Sequence, residues 1–347
     1  MNSLERVLKT LNHEEADRVP AYPLCNSISW KRYGIGYDEW TLDHVKCAEA
    51  IIKTTEELEL DAIVTLVDLS VEAADFGMKV DYFPDKAAMP SDDEKFITTL
   101  EDYEKVQPIN PRETERMSKM IEMTKILVDR KGHECPVVAF VFGPMGTLSM
   151  LSGLSTLMKD CLKKKSKDTV KKAIATITDV LIDYCDALID AGAHAIMLDT
   201  LFSSKTIMRS TMWDEFEGEA VQKIAEHVHG RGRMVMIHNC GEGIYIKEQI
   251  ERMHPEAISL LYLPPDCQTM DELKEKYGSV TTFIGHIDPG FMMVCDEERL
   301  RKQCREQLDA YKKDGGFILA TGCEYPPVLD DEFARIMVDE AKSYGRY

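Results

Sequence analysis

His238 and Cys240 stand two residues apart, so on an extended strand they point to the same face. A third soft donor, Cys323, lies far along the chain in the stretch Thr321, Gly322, Cys323, Glu324. Two thiolates and one imidazole with a fourth position left open describe a catalytic Zn2+ centre of the Cys2His kind; structural zinc sites are closed by four protein ligands. The plainer alternative is three unrelated side chains, and spacing alone leaves both open. Three carboxylates are candidate catalytic groups around the same centre. Glu324 could be a fourth ligand displaced by substrate, or a surface charge on its loop. Asp199 and Asp288 could orient substrate, hydrogen-bond a ligating histidine, or move a proton. Their bland roles are a helix cap for Asp199 and a turn for Asp288. Asn239 should point away from its two neighbours. His286 reads as a satisfied core histidine, and His13, His44, His227 and His229 as surface residues.

These residues acquire meaning only if the chain brings them to one place. Short apolar runs rich in β-branched residues occupy 19–24, 62–68, 136–143, 195–200, 234–240, 257–262, 281–288 and 317–323. Continuous apolar runs suit strands buried on both faces of a parallel sheet. Helical spacing fills the gaps: 43–60, 114–128, 168–191 with Gly192 as cap, 213–229, 249–253, 270–277, 297–313 and 331–344. Eight strands alternating with helices predict an α/β fold, a (β/α)8 TIM barrel with an N-terminal helix. A doubly wound open sheet competes, but no GxGxxG follows the first run. The rhythm breaks over 73–111, read as an insertion after the second strand that starts with a short hairpin at 77–84. Nothing resembles a flexible linker, so a single domain is expected. In such a barrel the C-terminal strand ends form the active face, and runs five and eight deliver His238, Cys240 and Cys323 to it.

The chain has 347 residues, with 42 Lys plus Arg against 61 Asp plus Glu, a net charge of −19. That balance argues against general affinity for nucleic acid or anionic membrane. No apolar stretch reaches the roughly 18 residues of a membrane span, and the first twenty residues lack a signal core. A cytoplasmic location follows, in which the 10 cysteines are reduced thiols or metal ligands. Cys161 and Cys185 fall inside helical patterns as small hydrophobes.

The opening Leu4 to Leu11, the Asp17-Arg18-Val19-Pro20 segment and Gly285 to Pro289 resemble the uroporphyrinogen decarboxylase superfamily. Within it, His238-x-Cys240 with Cys323 resembles the zinc motif of the corrinoid-dependent methyltransferases, of which the methylcobamide:coenzyme M methyltransferases are members. The resemblance spans essentially the whole chain. It implies methyl transfer between a zinc-bound small molecule and a corrinoid (cobalamin) cofactor. No D-x-H-x-x-G corrinoid motif is present, so the corrinoid would come from a partner protein docked over the barrel mouth. True decarboxylases carry an Arg-rich M-R-Q-A-G-R segment after the first strand; here that stretch reads Leu24 to Tyr33 without it. Decarboxylation therefore ranks below methyl transfer. The leading expectation is a methoxylated compound as donor to cobalt(I), of the O-demethylase type, with methyl transfer from the corrinoid to a thiol acceptor as the alternative. Trp30, Tyr33, Tyr37 and Trp40 could line a pocket for a methoxylated ring, or simply pack. A structural zinc protein or a non-catalytic binding module is the reading from another class. Oligomeric state is left open, a homo-oligomer included.

Overall fold

Pairing of the apolar runs produces one parallel sheet whose two edges are joined by the first run. The computed structural model describes residues 1–91 and 95–347. Its strands are β1 (Ile63–Val64), β2 (Val80–Asp81), β3 (Met89–Pro90), β4 (Val137–Phe142), β5 (Ala195–Asp199), β6 (Met234–Asn239), β7 (Ala257–Leu260), β8 (Thr282–Ile284) and β9 (Phe317–Ile318). The main sheet has seven strands in the order β1-β4-β5-β6-β7-β8-β9, every pair parallel. Residues 19–24 were expected to be the first full strand. They instead form a single parallel bridge between Ala21 and Leu319. Pro20 and Pro23 each lack a donor N–H, and Leu24 has φ of 37°, which is why the ladder stops there. The segment nevertheless bonds to both edges. Tyr22 donates to the Leu319 carbonyl (2.8 Å), and Asp61 N–H donates to the Ala21 carbonyl (3.0 Å). The ring is thus closed as a barrel, with eight staves and seven regular strands.

The helices lie between the staves, as the spacing predicts. They include His44–Leu58, Glu115–Lys131, Lys167–Asp190, Glu219–Gly230, Glu297–Tyr311 and Glu332–Ser343. Gly192 follows Lys167–Asp190 with φ of 99°, a conformation a glycine adopts without strain. Several helices had no counterpart in the sequence reading, among them Val71–Asp75 and Pro144–Ser152. Pro144 at the first helical position was the available signal for the second. The N-terminal helix Ser3–Leu11 opens on a capping box between Asn2 and Glu5. Between the second and third staves lie the antiparallel hairpin β2–β3 and a short 3-10 turn, Glu101–Lys105. The part of the expected insertion at 92–94 lies outside the described residues.

Strand parity divides the barrel interior into an apolar floor and a polar top. Val138, Met197, Met236, Ile284 and Ile318 surround the small interior void at the floor. Two residues further along their strands, Met197 is followed by Asp199 and Met236 by His238, on the same inward face. The sequence therefore places its titratable groups one layer above the packed floor, at the C-terminal ends of β5 and β6.

Candidate metal centre

His238 is the inward residue next to last on β6, and its imidazole is 4% exposed. Cys240 follows β6 immediately, and Cys323 sits beyond the Ile287–Thr321 bridge that extends the β8–β9 pairing. One ligand atom from each of these three residues lies within 4.8 Å of the others. Both thiols are partly exposed, so the cluster opens toward the mouth of the barrel. The turn after β6 is clamped by Asn239. Its Nδ2 donates to the Thr200 carbonyl (2.7 Å), and its Oδ1 accepts from Gly241 N–H (2.9 Å). Asn239 therefore points away from the cluster, as strand geometry requires. Gly322 brings the last stave against the end of β7, where a Cβ would come within 2.5 Å of Leu261 Cα.

The electrostatics suit a cation. The Cys240 thiol against it holds the Cys323 thiol well below its ordinary range, and the His238 imidazole adds to that effect against the cost of burial. Cys240 is pushed up in turn by Cys323, with burial adding to the effect. One sulfur of the pair thus favours the thiolate form that a divalent cation would bind. Burial pulls His238 down, but Cys323 and Asp199 outweigh it and leave the imidazole raised. The donor set, two thiols and an imidazole with an open side, fits zinc.

The predicted carboxylates fare differently. Asp199 pairs in register with His238 and is buried; burial lifts it to about 6, while His238 draws it down. Its Oδ1 also accepts from Leu201 N–H (3.0 Å), which holds a turn; the helix cap expected of it does not form, because the next helix starts at Ser210. Glu324 is half-buried beside Cys323; burial raises its carboxyl, the facing Ser27 lowers it, and Cys323 raises it further. Asp288 is exposed and accepts from Gly290 N–H (2.7 Å) at the start of a short helix, Pro289–Met292. The structure thus gathers Asp199 and Glu324 around the cluster and gives Asp288 a turn to hold. Neither carboxylate falls within the compact three-ligand group.

Other expectations resolve by packing. His286 is partly buried, with Nε2 3.0 Å from the Tyr311 hydroxyl, and burial lowers it to about 4. Trp40 and Tyr37 are buried, and the Tyr37 phenol donates to the Val67 carbonyl (2.5 Å). Those two aromatics of the expected ring pocket therefore belong to the core, while Trp30 and Tyr33 remain partly exposed. Two features escaped the sequence reading. Asp68, at the end of the second run, forms a buried ion pair with Arg116 (2.8 Å). The rule that selected Asp199, an acid at a strand end, selects Asp68 equally well. Ser259 on β7 lies 3.0 Å from His238 Nδ1, and no sequence signal marks it.

Comparison with known proteins adds a family context. The family model described as Uroporphyrinogen decarboxylase (URO-D) matches residues 2–344. The chain is 23% identical over 350 residues to methylcobamide:CoM methyltransferase MtbA of Methanosarcina mazei, covering 98% of this chain and 97% of that protein. It is 23% identical over 239 residues to methylcobamide:CoM methyltransferase MtaA of Methanosarcina barkeri, covering 68% and 67%. It is also 23% identical to a uroporphyrinogen decarboxylase of Actinobacillus succinogenes, covering 86% and 83%. A solved methyltransferase from Methanosarcina mazei superimposes with a TM-score of 0.83 at 21% identity, covering 99% of both chains, and so shares the barrel fold.

Proposed function

This chain belongs to the uroporphyrinogen decarboxylase family, and on that footing we propose that it is a corrinoid-dependent methyltransferase built around a zinc held by His238, Cys240 and Cys323. The observation that carries the reading is the convergence of three soft ligand atoms within 4.8 Å on the active face of the barrel. The relatives named methylcobamide:CoM methyltransferase point to corrinoid-dependent methyl transfer. Zinc so bound would supply a Lewis acid for a methylated substrate, or a low-pKa site for an incoming thiol. The corrinoid would be brought by a partner protein.

We take the methyl donor to be a methoxylated compound. Asp199 and Glu324 give the rim two acids whose protonated forms burial favours, which suits a leaving group that must gain a proton. A methoxylated donor leaves as an alcohol or phenol and takes up one proton. Glu324, raised by burial and lying beside Cys323, is placed to pass a proton to that leaving oxygen. Asp199 lies on the other side of His238 and would orient the substrate. Methyl transfer from the corrinoid to a thiol is the alternative direction for the same ligands. Decarboxylation of a polycarboxylate is less well served. The two cations of the stretch after the first stave are engaged elsewhere: Lys31 faces Asp330, and Arg32 pairs with Glu57 and Asp331.

Metal analysis of anaerobically purified protein tests the reading. About one zinc per chain is expected, and both His238→Ala and Cys323→Ala should lose it. Loaded enzyme should then demethylate a methoxylated compound with cob(I)alamin. Zinc retained in both variants would remove the centre. Activity only from methylcobalamin to a thiol would reverse the direction.

A further inference from the structure

His238 has two ring nitrogens, and only one can face the thiols. The β6–β7 register sets His238 directly beside Ser259, so their side chains share the interior face. His238 Nδ1 lies 3.0 Å from Ser259 Oγ, and Ser259 is fully buried. Because Nδ1 is taken on the β7 side, Nε2 is the nitrogen left for Cys323, the sulfur that His238 meets on its other side. Asp199 is the neighbour across β5, but no hydrogen bond joins it to the ring among the described residues; its Oδ1 is occupied by Leu201 N–H. Among the described residues the ring therefore has, apart from the thiols, a hydroxyl as its direct side-chain partner, where metal-bound histidines often have a carboxylate or a carbonyl.

We propose that Ser259 is a positioning residue of the metal centre: its hydroxyl fixes His238 with Nε2 toward Cys240 and Cys323 and accepts the Nδ1 proton once a metal occupies Nε2. The inference rests on the metal-centre reading above. A neutral imidazole carries one proton. With a metal on Nε2 that proton sits on Nδ1, and Ser259 Oγ accepts it. In the bare cluster the proton can sit on Nε2 facing Cys323, and the serine hydroxyl then turns to donate to Nδ1. A hydroxyl serves both states by rotating its own hydrogen, with no heavy atom displaced; an ionised carboxylate can only accept. A neutral partner also adds no charge. One Zn2+, two thiolates and a neutral imidazole sum to zero, so the centre remains a usable Lewis acid.

Zinc affinity, measured anaerobically by competition with a chromophoric chelator, tests the proposal in the wild type, Ser259→Ala and Thr124→Ala. Thr124 is a buried hydroxyl on the helix Glu115–Lys131 that bonds its own backbone, and it controls for loss of any core hydroxyl. Ser259→Ala should still bind one zinc, roughly 10- to 100-fold more weakly, while Thr124→Ala should match the wild type. Nitrogen-15 spectra of ring-labelled, zinc-loaded wild type should show His238 protonated at Nδ1 and metal-bound at Nε2; metal-free Ser259→Ala should show mixed tautomers. Unchanged affinity in Ser259→Ala, an equal loss in Thr124→Ala, or metal on Nδ1 would overturn the role of Ser259 alone. A wild type that binds no zinc would overturn the metal centre and this inference together.

Discussion

At the scale of single residues, burial is what gives the acids of this barrel their character. Glu72 is buried and accepts a hydrogen bond from Phe142 N–H (2.9 Å), yet burial lifts its carboxyl to about 8. Glu217 accepts from Met145 N–H (2.8 Å) and Trp213 Nε1 (2.9 Å), and burial lifts it to about 7. A carboxyl raised in the native state keeps a proton that the unfolded chain has released. Its contribution to stability is complete below the unfolded value and is lost as pH rises through the folded one. For Glu72 the window therefore runs from the ordinary glutamate value of 4.5 to about 8. Urea unfolding of the metal-free protein at pH 5 and pH 8 should show falling stability in the wild type. Glu72→Gln should flatten the fall by about 3 kcal/mol, leaving the shares of Glu217 and Asp199 in place. An unaltered slope would mean that Glu72 is ionised in the native protein.

At the scale of elements, the site depends on how closely the ends of the staves approach one another. Gly322 passes so near the end of β7 that a Cβ would sit 2.5 Å from Leu261 Cα and 2.9 Å from the Leu260 carbonyl oxygen. Both obstacles are backbone, so neither can swing aside. Gly322→Ala should push the last stave outward and carry Cys323 with it. A loss of about 1–3 kcal/mol in stability is expected, together with weaker zinc binding although no ligand is changed. Zinc affinity equal to wild type in the chelator competition would show that Cys323 is positioned independently of this contact. The same closeness explains why the β4 turn carries Gly143, where a Cβ would meet the Asp199 carbonyl oxygen at 2.4 Å.

At the scale of the molecule, closure of the barrel rests on a charge buried at the opposite end from the site. Asp61 is fully buried and receives Arg6 (2.8 Å), Arg18 (2.6 Å), Ser3 Oγ (2.8 Å) and Ala21 N–H (2.8 Å). It thereby ties the N-terminal helix, the irregular first stave and the approach to β1 into one unit. Asp61→Ala leaves two guanidinium groups without that partner and should cost about 3–5 kcal/mol. Because the proposed zinc ligands stand on other staves, the protein that remains folded should still bind zinc. Thermal unfolding with parallel metal analysis separates the two effects; simultaneous loss of metal would show that closure and site are coupled. Within the described residues, no helix is long and apolar enough to cross a membrane.

The three donors of the candidate centre and their strands were legible because both signals are local. Continuous apolar runs mark buried parallel strands, and a His-x-Cys spacing places two donors on one face wherever it lies extended. The resemblance carried by those motifs agrees with the family to which the chain belongs. What the sequence could not supply was everything set by register between distant segments. Whether Glu324 and Asp288 share the site depends on how two loops leave the barrel, and the structure turns one toward Cys323 and the other into a helix cap. Tyr37 and Trp40 have the composition of a ring pocket, yet burial commits both to the core. Ser259 is an ordinary serine in an apolar run until β6 and β7 align it with His238. Residue type and spacing are written along one chain. Which nitrogen of His238 is left for the thiols is set by the neighbour across the sheet, and only the closed barrel chooses that neighbour.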